Sequence, residues 1–504
     1  MTPKEGLLRY ATLLWALAIG MLATGVRIGL LQRFGVVTES DTLGYQEMAR
    51  ALSTFDMGSD VGIRTPGYPA FMVLAGQSEW GVAVAQIGLA VAACVALFDA
   101  IRLETGRARV GAIAAGLYAV WPVFARWDTT LLTESLATSL TLLCVWSCVR
   151  YRASRRLAWI GWAGLLGAIT CLVRPNLLPV AFLVAIWAIS IAFRKLGPRW
   201  QTLALTMVPV AVLVGGWCSL NAARFGWFGL STVTGFGVTN LDGDLLARLP
   251  PGRDAVRDAY VASSAAFVES RRTRDQAIWA ALPAMVRSTG HSIPTLSHEL
   301  MRSHVLAAET YPAALAGSIA TGYVRFWTEE PFGWLNESDH ALVRFDAGST
   351  PSGKSLTQNG FLRSGLRAAA RISHAAFLAF LAVVPLALFE RLSRRSRWAL
   401  AAIVALAGTM FSSVGNPIVC AFFFAATPVG LVASYRNRAN AVLGLLAAIA
   451  WSVSLLTASV EYAKGRFNVP LAPLTVAALA ICLCPQANVK PSNENETVSA
   501  PPIE

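Results

Sequence analysis

Residues 157–193 read LAWIGWAGLLGAITCLVRPNLLPVAFLVAIWAISIAF, and Arg174 is the only charged residue among them. The Arg174-Pro175 break separates two apolar blocks, each long enough to cross the hydrocarbon core of a bilayer as a helix. Neither block alternates apolar and polar residues, as a half-buried strand would. This stretch therefore predicts two membrane-spanning helices, at residues 157–173 and 175–193.

The rest of the chain repeats this pattern. Of its 504 residues, 55% are hydrophobic and only 14% are charged, whereas soluble domains carry about 25% charged residues. A conventional soluble enzyme is therefore excluded. We expect an all-α polytopic membrane protein with about twelve transmembrane helices (about 11 to 13) and additional interfacial helices. The predicted spans lie near residues 11–31, 80–101, 110–125, 131–149, 157–173, 175–193, 201–219, 372–390, 398–414, 418–434, 440–459 and 469–484.

Basic residues set the predicted orientation. The formal net charge is +13, and the arginines cluster in every second break between spans, near residues 102–109, 150–156, 194–199, 391–397 and 436–438. Because cytoplasmic loops are enriched in Lys and Arg, this alternation predicts a cytoplasmic N-terminus. An even number of spans returns the polar tail, residues 485–504, to the cytoplasm, where we expect it to be disordered. The basic excess thus indicates membrane topology, and no nucleic-acid partner is expected.

Two segments on the outer side are too long to be simple turns. The first, residues 32–79, contains an amphipathic pattern from Asp41 to Thr54 that predicts a helix lying in the membrane interface. The second, residues 220–371, is expected to be mainly helical, with helices near 255–288 and 295–327, the latter amphipathic and surface-bound. The predicted organisation is a transmembrane module (1–219) with its first outer loop (32–79), the segment 220–371, and C-terminal transmembrane helices (372–484).

The polar residues that could carry chemistry all fall at the predicted outer ends of the spans. Asp41 opens the interfacial helix, where it could also serve as the N-cap. Arg64 begins the turn Arg-Thr-Pro-Gly-Tyr-Pro, where it could simply reach the membrane surface. Glu134 begins the fourth span, and a carboxylate this close to hydrocarbon is usually functional. Arg174 ends the fifth span, where an interfacial anchor is the alternative, and Arg466 precedes the last span.

Taken in order, these motifs resemble a family. The order comprises Asp41 with Tyr45 four residues later, an R-x-P-x-Y-P turn (residues 64–69), Thr133-Glu134, Arg174-Pro175 and R-F-x-x-P-x-x-P (residues 466–473). It is similar to that of the bacterial GT-C membrane glycosyltransferases. The similar branch contains the dolichyl-phosphate-mannose–protein mannosyltransferases and the lipid A aminoarabinose transferase. The resemblance extends from about residue 11 to about residue 480.

The resemblance implies the GT-C fold and an inverting transfer of a sugar from a polyprenyl-phosphate carrier. The acceptor would be a glycolipid, a polysaccharide or a protein. The active site would lie on the outer, periplasmic face of a bacterial plasma membrane. Asp41 would be the general base and Glu134 a second acid, which orients the acceptor or tunes Asp41. Arg64 and Arg466 would bind the donor phosphate. The residues that would line the substrate are Tyr45, Tyr68 and Arg174.

No cofactor and no metal are expected, because guanidinium groups already supply positive charge for the leaving phosphate. Two other functions stay open from the sequence: a transporter or flippase of lipid-linked sugars, and an O-antigen ligase or polymerase. A transporter would carry its polar groups near the middle of the bilayer. Here they are concentrated at the outer ends of the spans, which favours a transferase.

Overall fold

The structure, a computed structural model, describes residues 3–57, 62–194, 199–252, 254–271, 277–328, 441–460 and 465–484. Within these residues the regular secondary structure is helical, apart from one isolated bridge between Val37 and Thr130. The first half of the chain forms α1 (Pro3–Phe34), α2 (Ser40–Thr54), α3 (Gly67–Leu74), α4 (Glu79–Thr105), α5 (Ala108–Val120), α6 (Pro122–Ala125), α7 (Thr133–Ser154), α8 (Leu157–Val173), α9 (Leu178–Arg194), α10 (Arg199–Pro209) and α11 (Gly216–Phe225).

The later helices follow in the same way. They are α12 (Thr234–Arg248), α13 (Ala255–Arg271), α14 (Ala277–Thr289), α15 (Ile293–Thr310), α16 (Pro312–Thr328), α17 (Ala441–Val460) and α18 (Ala472–Leu483). Short 3₁₀ segments occur at Arg126–Thr129, Pro175–Leu177 and Gly465–Leu471. A π-helical segment at Val210–Gly215 joins α10 to α11 directly after Pro209. A proline inside a helix removes one backbone hydrogen bond, which is a common cause of such local rewinding.

The helices confirm an all-α membrane protein. Within the described residues, five helices are long and apolar enough to cross a membrane: Arg9–Arg33, Glu79–Thr105, Pro175–Phe193, Arg199–Phe225 and Ala441–Val460. Shorter apolar helices occupy Ala108–Val120, Leu157–Val173 and Asn468–Leu483. The predicted spans at 372–390, 398–414 and 418–434 lie outside the described residues, as does the tail 485–504. The total of twelve therefore stays a prediction.

Two sequence predictions differ from the structure. The span predicted at residues 110–125 ends as a helix at Val120, because Trp121 precedes Pro122 and adopts an extended backbone (φ −72°, ψ 106°). The segment at 295–327 is two helices, α15 and α16, and its end is not surface-bound. Tyr323, Phe326 and Trp327 are at most 1% exposed and join the main core, where α16 packs against α17.

The two largest apolar cores organise the described helices. The main core unites side chains from α1–α9 and α16–α18. A second core is formed by α12–α15, with Phe236, Tyr260, Met285 and Leu300 fully buried in it. We call the end of the bundle at which α1 ends and α4, α7 and α18 begin the α2 end, because α2 and α3 lie there.

The segment that joins α6 to α7, residues 126–132, fixes the α2 end internally. Asp128 pairs with Arg27 of α1 at 2.7 Å and accepts a hydrogen bond from Ser135 at 2.6 Å. The Arg27 guanidinium is 1% exposed and also donates to the Ala119 carbonyl of α5 at 3.1 Å. Such a pair must be well satisfied to offset the cost of removing both charges from water. It ties α1, α5 and the segment before α7 together.

Candidate active site

The start of α2 places Asp41. The N-cap residue is Glu39, with an extended backbone (φ −121°, ψ 171°), rather than Asp41. Thr42 stabilises this start, because its hydroxyl oxygen accepts from the Glu39 backbone N–H at 2.9 Å and donates to the Leu131 carbonyl at 2.9 Å. Asp41, in the first turn, forms an ion pair with Arg64 at 2.8 Å. Its carboxylate therefore contacts a guanidinium, which the sequence did not indicate.

Arg64 is placed by the turn that precedes α3. Gly67 lets this turn approach the end of α8, because a Cβ there would lie 2.5 Å from the Leu172 carbonyl carbon. The Arg64 guanidinium lies over the Tyr45 ring, 4.7 Å from its centroid. It also lies against Gly44, where an added Cβ would be 3.3 Å from the Arg64 Nε. The Arg64 guanidinium therefore packs on the surface of α2, against the Tyr45 ring and Gly44.

Glu134 and Arg174 form a second, more deeply buried ion pair. The distance from the Arg174 Nη1 to the Glu134 Oε1 is 3.1 Å, and the side chains are 7% and 2% exposed respectively. Glu134 lies in the first turn of α7, whereas Arg174 follows the last residue of α8 with an extended backbone (φ −148°, ψ 108°). The hydroxyl of Thr133 lies within 3.5 Å of both side chains. This pair therefore joins the ends of two spans.

The charges of both ion pairs affect the pKa of the Tyr45 hydroxyl. Burial raises the pKa of this hydroxyl above its ordinary value. Among the neighbouring charges, Arg64 and Arg174 lower the pKa, whereas Asp41 and Glu134 raise it. Five of the seven predicted site residues, Asp41, Tyr45, Arg64, Glu134 and Arg174, therefore share one electrostatic neighbourhood, which we call the constellation. It has two carboxylates, two guanidinium groups and one hydroxyl.

The two remaining predicted site residues are Tyr68 and Arg466. Tyr68 was expected to line the substrate, but its side chain is 0% exposed and its hydroxyl donates to the Gln86 Oε1 at 2.6 Å. Its aromatic edge packs against Tyr45, with ring centroids 5.1 Å apart. Arg466 lies on the 3₁₀ segment Gly465–Leu471, which packs against α7 and α16. The side chain of Arg466 lies outside what the structure describes, so its role stays a prediction.

The buried polar residues that stabilise the α2 end were not identified from the sequence. Gln86, Arg27 and Asp128 are buried polar residues joined to the α2 end. A signal for the first two was present, because a polar residue inside a membrane span is costly and usually functional. Asp128 carried no such signal, since it lies between spans.

No set of three or more His, Cys, Asp and Glu side chains that could hold a metal occurs among the described residues. The buried His304 of α15 has its polar partner inside the protein, because its Nε2 lies 3.1 Å from the Thr239 hydroxyl. Burial lowers the pKa of its imidazole to about 4. The expected absence of a metal in the function stays a prediction.

Comparison with known proteins agrees with the resemblance drawn from the motifs. The model of the dolichyl-phosphate-mannose-protein mannosyltransferase family matches residues 69–217. No curated protein matches the chain. The matched residues run from α3 into α11, so they include Glu134 and Arg174 but neither Asp41 nor Arg64. The match confirms the resemblance to the GT-C superfamily and indicates a multi-pass membrane glycosyltransferase.

Proposed function

We propose that this membrane protein, which is similar to the GT-C glycosyltransferases, transfers a sugar from a polyprenyl-phosphate carrier with inversion at the anomeric carbon. The acceptor is a glycolipid, a polysaccharide or a protein, and transfer occurs on the outer face of a bacterial plasma membrane. The observation that carries the proposal is the partly buried Asp41–Arg64 pair, which acts on the Tyr45 hydroxyl together with the buried Glu134–Arg174 pair. A carboxylate that can serve as a base and a cation that can bind phosphate are thus in contact at one end of the spans.

The chemistry assigns one task to each group. The acceptor nucleophile forms a bond to the anomeric carbon while the bond from that carbon to the phosphate oxygen breaks. Asp41 takes the proton of the acceptor, because a positioned carboxylate is a suitable general base. The carrier phosphate leaves as an anion, and Arg64 and Arg466 stabilise it, since a guanidinium stays charged and can bind two phosphate oxygens.

The contact between Asp41 and Arg64 couples the two tasks. Arg64 donates to the Asp41 carboxylate at 2.8 Å. A donor phosphate that binds Arg64 competes with Asp41 for the same guanidinium. Donor binding therefore weakens the hold of Arg64 on the base and makes the carboxylate more available to the acceptor proton. The order of events that follows is donor first and acceptor second.

Glu134 and Arg174 have a fixed role in this scheme. Both charges are buried, so neither exchanges partners at low cost. They act with one negative and one positive charge on the hydroxyl of Tyr45, the residue that lines the substrate in this proposal. Glu134 thereby orients the acceptor or sets the local charge that Asp41 experiences.

The test is sugar transfer by the purified protein in detergent from a polyprenyl-phosphate sugar. We expect transfer with the lipid-linked donor and none with a nucleotide sugar alone. Asp41→Asn should lower the rate at least ~100-fold, the scale of a lost general base, with an unchanged melting temperature. Asp56→Asn, an exposed carboxylate that follows α2, is the matched control and should stay within about two-fold of wild type.

Other outcomes would point to other functions. Movement of the carrier across vesicles without transfer would indicate a transporter or flippase. Mass spectrometry of envelope glycans and lipids with and without the protein identifies the sugar and the acceptor, including a polysaccharide made by a ligase or polymerase. Because the arginines supply the positive charge, transfer should survive EDTA. Complete loss of activity, restored by Mg²⁺ or Mn²⁺, would overturn the metal-independent mechanism.

A further inference from the structure

Gln86 is a polar side chain in the apolar span α4, and the proposed reaction makes no use of it. It is 0% exposed. An uncompensated amide in such surroundings costs several kcal/mol, so its hydrogen bonds decide whether the position is tolerable. Its Oε1 accepts from the Tyr68 hydroxyl at 2.6 Å, and its Nε2 donates to the carbonyls of Asp128 (3.2 Å) and Thr130 (2.9 Å).

These three bonds fix the orientation of the amide. Carbonyl oxygens only accept hydrogen bonds, so the amide nitrogen must face Asp128 and Thr130. The reverse orientation would place the amide oxygen against two carbonyl oxygens. The amide oxygen is left for the Tyr68 hydroxyl, which must donate. Gln86 therefore joins Tyr68 to the segment before α7 in one defined geometry.

Tyr68 connects Gln86 to the proposed base, Asp41, through two further side chains. Its ring meets the Tyr45 ring at 77°, with centroids 5.1 Å apart. The Tyr45 ring supports the Arg64 guanidinium at 4.7 Å, and that guanidinium holds Asp41 at 2.8 Å. Four contacts in series thus lead from the buried amide of Gln86 to the carboxylate of Asp41.

The segment before α7 reaches α2 by a second route. The Thr42 hydroxyl donates to the Leu131 carbonyl at 2.9 Å. Val37, just before α2, exchanges backbone hydrogen bonds with Thr129 (2.9 Å) and Leu131 (2.8 Å). Gln86 holds two carbonyls within this same short segment. One side chain therefore restrains both the helix that carries Asp41 and the ring that supports Arg64.

We propose that Gln86 is a positioning residue for sugar transfer, which holds the Asp41–Arg64 pair in register with Glu134 by fixing Tyr68 and residues 128–131 at once. This role rests on the proposed function of Asp41. It gives a buried amide of α4 a role in transfer without any contact between Gln86 and the substrate. A purely structural Gln86 would instead change stability and leave the turnover of folded protein unaltered.

A double-mutant cycle separates the two roles. Tyr68→Phe removes one hydroxyl and keeps the ring, whereas Gln86→Met removes all three hydrogen bonds at similar volume. We expect kcat to fall about 5-fold in Tyr68→Phe and about 30-fold in Gln86→Met, with the donor KM within about two-fold of wild type. In the Gln86→Met background, Tyr68→Phe should cost less than about 1.5-fold more, because the bond that it removes is already absent.

The control is Thr170→Val in α8, which removes a buried hydroxyl that bonds within its own helix to the Leu166 carbonyl. It should change kcat by less than about two-fold. Amide hydrogen exchange across residues 37–54 supplies a readout that does not depend on activity. Exchange there should speed up in Tyr68→Phe and Gln86→Met, and stay as in wild type in Thr170→Val.

The outcomes are distinguishable. Additive losses of kcat, or variants that differ from wild type only in melting temperature, would overturn the positioning role and leave the proposed function standing. Unchanged exchange in α2 would also overturn it. If the wild-type protein transfers no sugar, the proposed function fails. The positioning role in transfer then fails with it, and the exchange data show only whether Gln86 holds α2.

Discussion

The two ion pairs at the α2 end have the same chemistry and opposite surroundings. Asp41 and Arg64 are 27% and 29% exposed and lie in a segment between two spans. Glu134 and Arg174 are 2% and 7% exposed and belong to the ends of α7 and α8. Exposure decides what each pair can do. A half-exposed guanidinium can exchange a carboxylate for a phosphate, whereas a buried one is committed to its partner.

The energies of the two pairs differ for the same reason. Breaking a fully exposed pair costs about 0–1 kcal/mol, because water solvates both charges, and the Asp41–Arg64 pair is nearer to this limit than the other pair. Removing one partner of a buried pair costs about 3–5 kcal/mol, because the other charge stays without compensation. We therefore assign the more exposed pair to the reaction and the buried pair to the frame that surrounds it.

The largest expected effect is on stability. Arg174→Met should lower the free energy of unfolding by about 3 kcal/mol, whereas the matched Arg64→Met should lower it by less than about 1 kcal/mol. Thermal unfolding in one detergent measures both. Adding Glu134→Gln to Arg174→Met should restore much of the loss, since the orphaned carboxylate is then gone. Equal losses for the two methionine variants would remove the distinction between the pairs.

A smaller effect concerns donor recognition by the exposed pair. Arg64→Ala should raise the KM for the lipid-linked donor about 10-fold, the scale of one charge-assisted hydrogen bond, and leave the acceptor KM within about two-fold. Arg64→Lys should restore only part of the affinity, because an ammonium cannot bind two oxygens side by side. Initial rates with each substrate varied in turn give both constants. A larger change in the acceptor KM than in the donor KM would show that Arg64 recognises the acceptor and not the donor.

The sequence predicted the fold well wherever the pattern is local. The spans at 157–173 and 440–459 match α8 and α17 within one residue, because an apolar block long enough to span has few other stable solutions. The helix predicted at Asp41–Thr54 matches α2 equally well, whereas its place in the membrane interface stays a prediction. Predictions were wrong where tertiary contacts decide, as at the end of α16, whose aromatic residues pack on α17.

The candidate site was predictable as a set of residues and not as a set of contacts. Motif order pointed to Asp41, Arg64, Glu134 and Arg174, but nothing in their spacing indicates which acid meets which arginine. That pairing depends on how α3 packs against α8 through Gly67. Gln86 escaped prediction because a single amide leaves the hydropathy of a mostly apolar span almost unchanged, although its burial is costly.

The smallest expected effect comes from Gly44, which lies beneath the Arg64 guanidinium. A Cβ at this position would be 3.3 Å from the Arg64 Nε, so the guanidinium must shift by a few tenths of an ångström. Gly44→Ala should therefore lower the rate of transfer about 3-fold, or about 0.7 kcal/mol in the barrier. The same change should raise the stability of α2 by about 0.5–1 kcal/mol, because alanine is the better helix former.

Opposite signs for activity and stability make this substitution diagnostic. Gly88→Ala in α4 is the matched control, because a Cβ there meets nothing within 4 Å, and it should leave the rate of transfer unchanged. Gly44→Val should slow transfer further than Gly44→Ala, since its larger side chain displaces the guanidinium more. If Gly44→Ala gains stability and keeps the full rate, the exact position of the Arg64 guanidinium does not affect the reaction. The Asp41–Arg64 pair would then tolerate small shifts, as its partial exposure suggests, and only the buried pair would need precise positioning.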